Sequence, residues 1–442
     1  MNGIKKPFLV ALSFILVLMI SACGAKDSGN EPSNGNVDSA SGNGASQPSG
    51  GNAGPVTITF WHHYSTASPE EKTLLEVLIP KFESEHPDIR VKAISYPWAD
   101  LHQKLQLVGS VGESPDVARL DIIWVPEFQE RGMLTALDET FEDFDEIAGQ
   151  LLEGPVSTGK IGGKHYALPL NTNTKVLFWN QSMFEESGLS GPPATMDEFF
   201  EVVNALKTRE GTSWAFGEPA LQGWNILPWI WSNGGDVLSE DFSTADGYLN
   251  GPASVEILGR LKEAFSKGKI SGFRPGDAAV SEGHAQGQYA MIVEGPWTVA
   301  QFKGQFSDFA VNMAPFPAGK AGSVQVLGGE DIGIFSKDKK EQSWEFVKFM
   351  VSEFAQIEMG KAGQIPVNKA AMEHPDIKAV DYYGPFLDQL RTAKARPPAA
   401  AWPKIDLVLN DAMFEIFLTD GDIKTILDKA VEQIDQLLTQ SN

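Results

Sequence analysis

Residues 56–94 read as a strand, a capped helix and a second strand, and this order restricts the possible fold more than any other stretch. Val56, Ile58 and Phe60 alternate with threonines at a period of two, the pattern of a strand. Ser68 is placed to cap a helix with Pro69 at its first position and Glu71 three residues after the cap. Leu74, Leu75, Leu78 and Phe82 continue at helical spacing, and His86-Pro87 ends the run. Residues 89–94 alternate again. A connection of this length joins parallel strands with a right-handed crossover, so the body is α/β. A further helix, about 99–108, leads to residues 116–120, which read as a third parallel strand. In open parallel sheets ligands sit beyond the carboxyl ends of the strands. Trp61-His62-His63-Tyr64 and Asp121-Ile122-Ile123-Trp124 fall at that edge.

Ahead of this body the chain opens with Lys5-Lys6, an apolar run over residues 8–20, then Ser21 and Ala22, the tripartite pattern of a secretory signal. The run is too short for the roughly 20 residues that a spanning helix needs. Ile20-Ser21-Ala22-Cys23 resembles the lipobox of bacterial lipoproteins. That resemblance implies a signal peptide of residues 1–22, a lipid-bearing Cys23 as the mature N-terminus, and a place on the extracytoplasmic face of the cell membrane. Residues 24–54 are almost all Gly, Ser, Asn, Ala, Asp and Pro, too poor in apolar surface to fold. Residues 23–54 are therefore expected to be a flexible linker, with an r.m.s. span on the order of 30 Å. Cys23 is the sole cysteine, so once acylated it leaves no thiol for a disulfide, a metal site or a nucleophile. A formal charge of −23 argues against nucleic acid and against an anionic ligand held by bulk electrostatics.

The chain carries 11 tryptophans, and many stand beside Gly, Pro or a carboxylate, where turns form. They recur in Trp224-Asn225, in residues 229–236, in Glu294-Gly295-Pro296-Trp297 and in residues 396–402, with Gly328-Gly329-Glu330-Asp331 as a further turn-like acidic stretch. A sugar ring has an apolar face of C–H groups and a rim of hydroxyls. Indoles stack on the first, and carboxylates or amides grip the second.

From about Thr57 onward the chain resembles the carbohydrate-binding extracellular solute-binding proteins of ABC importers, the maltose-binding-protein-like group. The likeness rests on residues 60–65, 82–87 and 115–118, on Asp121 with Trp124, and on residues 128–134 and 163–169. It continues through 178–180, 231–235, 287–291, 295–297 and 314–317. It implies a two-lobe periplasmic-binding-protein fold, type II-like, with hinge crossings between the lobes and a ligand cleft between them. Lobe I would take residues 55–171 plus 316–354, and lobe II residues 172–315 plus 355–442. The polar stretch 169–174 and Pro315-Phe316-Pro317 suit hinges. Thr195 and Glu198 form a capping box ahead of Phe199, and Ile423, Leu427, Ala430, Ile434 and Leu437 mark a final amphipathic helix.

The resemblance also implies ligand contacts at Trp61, His63, Tyr64, Asp121, Trp124, Trp224, Glu294, Trp297 and Trp402. Asn173 falls where maltose-binding protein has a carboxylate. Asp331 and Arg396 join the candidates on polarity and location alone. The implied function is capture of a sugar or oligosaccharide, delivered to ABC permease subunits by a monomeric receptor that is not an enzyme and holds no cofactor. A lipid-anchored adhesin or sensor would share these features. A glycoside hydrolase would need a carboxylate pair such as Asp121 and Glu294. His62 and His63 are adjacent and point oppositely on an extended chain, and neither a His-Glu-x-x-His motif nor a phosphate-binding glycine loop occurs, so neither metal nor nucleotide is expected.

Overall fold

The computed structural model describes residues 54–108, 114–274, 276–335 and 337–440. The expected signal peptide, Cys23 and the linker up to residue 53 lie outside the described residues. In chain order the strands are β1 (Val56–His62), β2 (Ile89–Ser95), β3 (Val117–Asp121), β4 (Lys160–Ile161), β5 (Lys164–His165), β6 (Ala167–Asn173), β7 (Val176–Trp179), β8 (Trp214–Gly217), β9 (Ile270–Ser271), β10 (Tyr289–Glu294), β11 (Met313–Ala314), β12 (Gln325–Ile334) and β13 (Ala393–Ala395).

β1 and β2 are parallel, in register from Val56 opposite Ile89 to His62 opposite Ser95, and β3 joins β1 in parallel on the other side. These three belong to a sheet of order β13-β12-β3-β1-β2, in which β12 also pairs with β6. A second sheet has the order β11-β7-β10-β8-β9. The chain leaves the first sheet at Asn173 and enters the second at Val176, then returns between Ala314 and Gln325. The architecture is the two-lobe α/β fold that the sequence implies.

The helix after β1 starts at Pro69, and the Ser68 hydroxyl accepts the Glu71 N–H at 3.2 Å. The Glu71 carboxylate reaches past Ser68 to the Ala67 N–H, at 2.6 Å, so the reciprocal half of the cap is displaced by one residue. Residues 74–78 widen to a π turn. Pro80 follows at once, with no N–H to offer the Glu76 carbonyl. In the second lobe Thr195 and Glu198 form the full capping box of the helix Met196–Ala205. The last helix, Ile423–Gln440, buries Leu427, Ala430 and Ile434.

Each sheet has a core of its own, and a further buried cluster draws residues from both, among them Leu120 and Met291. Phe60, Phe82 and Phe346 meet edge to face beside the first, with centroids 5.2 Å apart, and Phe178, Tyr289, Ile292 and Phe302 pack at the second. Each such ring contributes about 1.5–3 kcal/mol by burial. The helix Gly223–Ser232 is buried nearly all round, and Trp229 and Trp231 belong to this third buried cluster, with Phe199 and Phe216, rather than to an exposed turn. Among the described residues no helix is long and apolar enough to cross a membrane.

Candidate ligand-binding cleft

Strand ends position the site. The segments that follow β1, β2, β3, β8 and β10 bring His63, Trp98, Asp121, Trp224 and Trp297 to one space between the two sheets. That is where parallel α/β sheets place ligands. The inner cavity, of about 210 Å³, is lined by Trp98, Asp121, Asn173, Gln222, Trp224, Trp297, Gly328, Gly329, Glu330, Arg396 and Asp406. An outer part of about 590 Å³ shares Asn173, Trp297 and Glu330 with it and extends past His63, Tyr64 and Arg119 to Gln301 and Gln305.

Strand periodicity explains the polar floor. Arg119 and Asp121 stand two apart on β3 and so share a face, and Glu330 on β12 lies directly opposite Asp121. Two carboxylates facing each other across a ladder would repel. Each is answered by its own arginine: Arg396 meets Asp121 at 3.0 Å, and Arg119 meets Glu330 at 2.9 Å. The Trp98 indole N–H also donates to Asp121, at 3.2 Å, and Asp121 caps the following turn through the Ile123 N–H at 3.1 Å. Burial raises the Glu330 carboxyl above its ordinary range, against the pull of Arg119.

Glycines make the room. A Cβ on Gly328 would stand 2.1 Å from the Asn173 Oδ1 and 2.3 Å from the Trp224 ring, so only glycine leaves both side chains at the cavity. A Cβ on Gly295 would meet the Trp297 ring at 2.2 Å, so that indole folds back onto its own helix start. Trp224 is flanked by cations, with Arg396 5.1 Å and Lys175 5.4 Å from its ring. Lys175 is buried at the crossing from β6 to β7 and donates to Asn225. Burial lowers its pKa, while Glu294 and Glu218 draw it back up. Asn173 is 5 % exposed, and its Oδ1 has no partner within the protein.

Of the expected residues, His63 and Tyr64 line the outer part, Asp121, Trp224 and Arg396 line the inner part, and Asn173 and Trp297 line both. His63 lies 2.7 Å from Arg119, and burial followed by that charge holds its pKa well below the usual histidine value. Five others do not reach the space. Trp61 packs edge to face on Tyr96 at 5.3 Å. Trp124 is fully buried, stacked on His102 at 4.8 Å beneath Trp98, because the chain turns inward at Ile122–Trp124. Trp402 is equally buried at the start of the helix Trp402–Leu418, and it is Asp406, one turn on, that faces the cavity. Asp331 points away from its neighbour Glu330 and takes the Thr158 hydroxyl at 3.0 Å. Glu294 ends β10 beside Lys175 and lines neither part, so it does not share a space with Asp121 as a hydrolase pair would.

Sequence reasoning missed Trp98, Arg119, Gln222, Glu330 and Asp406 as site residues. Pro97-Trp98 at a helix start beyond β2 was the available signal for the first, and the helical repeat from Trp402 for the last.

Comparison with known proteins bears on the fold and the family. The model of the bacterial extracellular solute-binding protein family matches residues 78–381. A putative binding protein of Brucella abortus is 27% identical over 414 residues, covering 88% of this chain and 95% of the relative. The maltotriose-binding protein of Pyrococcus abyssi is 24% identical over 404 residues, covering 86% and 82%. Among solved structures, the GacH receptor of Streptomyces glaucescens, known unliganded and with acarbose, superposes with a TM-score of 0.77 at 23% identity, covering 88% of this chain and 100% of that one. The matching proteins are binding proteins of transport systems rather than enzymes. With more than half of its length matched by the family model, the chain belongs to the bacterial extracellular solute-binding proteins.

Proposed function

We propose that the protein captures a sugar or oligosaccharide in the interlobe cleft and delivers it to the permease of an ABC importer. The observation that carries this reading is one cavity faced by Trp98, Trp224 and Trp297 together with Asp121, Asn173 and Glu330. Three indoles supply stacking faces, and the carboxylates and the unpartnered Asn173 amide oxygen supply hydroxyl acceptors. A relative named for maltotriose supports the ligand class. The outer part, nearly three times the inner volume, offers room for further rings.

Contacts divided between two lobes are complete only when the cleft is shut, so ligand favours the closed state, and a permease reads that state. In this reading the lobes comprise residues 55–171 plus 316–354 and 172–315 plus 355–442, with residues 172–173 and β13 reaching across from lobe II to pair in the first sheet; the receptor acts as a monomer, and a lipid on Cys23 tethers it to the extracytoplasmic face of the membrane. A thermal-shift screen of neutral, amine-bearing and acidic oligosaccharides tests ligand capture: a true ligand at 100 times its Kd adds about 2.7 kcal/mol of native-state stability. No shift with any member of a broad panel would refute it. The tether is tested by labelling cells with an alkyne-bearing fatty acid, which is expected to mark the wild type and not Cys23→Ser.

A further inference from the structure

On the reading that the cleft holds a sugar, we infer that its inner end is built for a protonated amine, so that the preferred ligand is a basic, amine-bearing sugar rather than a neutral or anionic one. Charge balance comes first. Asp121 is neutralised by Arg396 and Glu330 by Arg119, which leaves Asp406 as the third carboxylate facing the inner cavity. Among the described residues Asp406 makes no ion pair, and its Oδ1 receives only the Gly223 N–H, at 2.7 Å. Burial raises its pKa, opposed by the more distant charge of Arg396 and by that N–H, as befits a carboxylate that lacks a counter-charge.

Three further observations point the same way. Asn173, 5 % exposed and lining the same cavity, presents an amide oxygen with no donor. The Trp224 ring already has Lys175 and Arg396 as cation partners, whereas no cation lies over Trp98 or Trp297 among the described residues. Tryptophan faces attract ammonium groups most strongly where water is excluded. Finally, the chain's formal charge of −23 concentrates cations around it. An ammonium brings donors for Asp406 and Asn173, the missing counter-charge, and a cation for the open indoles. A neutral hydroxyl supplies only a donor, and an anion adds to the existing excess.

The test is a glycan array carrying neutral, free-amine, N-acetylated and phosphorylated or sulfated oligosaccharides, followed by calorimetry at pH 6.5 on the best amine-bearing binder and its N-acetyl counterpart. Free-amine glycans are expected to lead, with at least tenfold tighter binding than the N-acetyl form. Asp406→Asn keeps an acceptor for the Gly223 N–H and is expected to abolish that preference while leaving the melting temperature near that of the wild type. Leading neutral or anionic glycans, or an equal effect of Asp406→Asn on both forms, would overturn the amine assignment and leave the sugar reading standing. No binding to any glycan would remove the sugar reading, and this inference with it.

Discussion

The Arg396–Asp121 pair offers the sharpest energetic test, because it joins the end of β3 to the residue that follows β13. The charges are 3.0 Å apart, with side chains 4 % and 13 % exposed. At an effective dielectric of about 20 the attraction is about 5 kcal/mol, and desolvation of both groups takes back much of it. Removing one partner leaves the other buried and unanswered, at about 3–5 kcal/mol. Arg396→Met should fall at the upper end, since it also strips the guanidinium from the Trp224 face. Asp121→Asn keeps an acceptor for the Ile123 N–H and should fall at the lower end. The double variant should cost little more than Arg396→Met alone, which gives a coupling of about 2–3 kcal/mol. Urea unfolding of the four proteins without ligand at pH 7 measures it. Additivity to within about 0.5 kcal/mol would mean that the two groups do not meet in solution, and would refute the reasoning.

Gly328→Ala should cut ligand affinity at least tenfold, by pushing its Cβ against Asn173 and Trp224, at a stability cost of about 1–3 kcal/mol; calorimetry and denaturation together would show it, and unchanged affinity would put the ligand elsewhere. Trp98→Ala should weaken binding, whereas Trp124→Phe should lower the melting temperature and leave the affinity within about twofold of wild type, since Trp124 lies beneath the site. Burial pushes the Asp331 carboxyl from 3.8 up to about 8, against the Thr158 hydroxyl. The native state therefore keeps a proton that the unfolded chain releases, and stability falls as pH rises between those values by up to about 1.4 kcal/mol per pH unit. Asp331→Asn removes this dependence, so its melting temperature should gain on the wild type between about pH 5 and pH 8.5; a constant difference would count against the assignment.

Local signals carried the elements well. A period of two marked β1 and β2, Ser68-Pro69 marked a helix start, and Thr195 with Glu198 marked another. The strand-end rule brought attention to His63, Tyr64 and Asp121. What one sequence does not encode is facing. Glu330 and Asp331 differ by one step, and a register shift between them decides which carboxylate looks into the cleft. Trp124 and Trp98 lie against each other with ring centroids 5.1 Å apart, and a turn of three residues sends the first inward. Trp402 carries the conspicuous ring, yet the side chain four residues later reaches the ligand space. Arg119 gives no local hint, because its role depends on a strand more than two hundred residues away.

β12 runs from the return crossing, pairs with β13 at residues 325–327, passes the cavity at Gly328, Gly329 and Glu330, and ends between β3 and β6. On the closure proposed above, recognition and movement fall on the same ten consecutive residues. Evolution or engineering that retunes what this receptor accepts by editing that ribbon will also retune how readily it shuts, so a biosensor made from it inherits a trade between selectivity and signal amplitude. Changes confined to Gln222 or Trp297, which approach from the opposite sheet, are the route to altering one without the other.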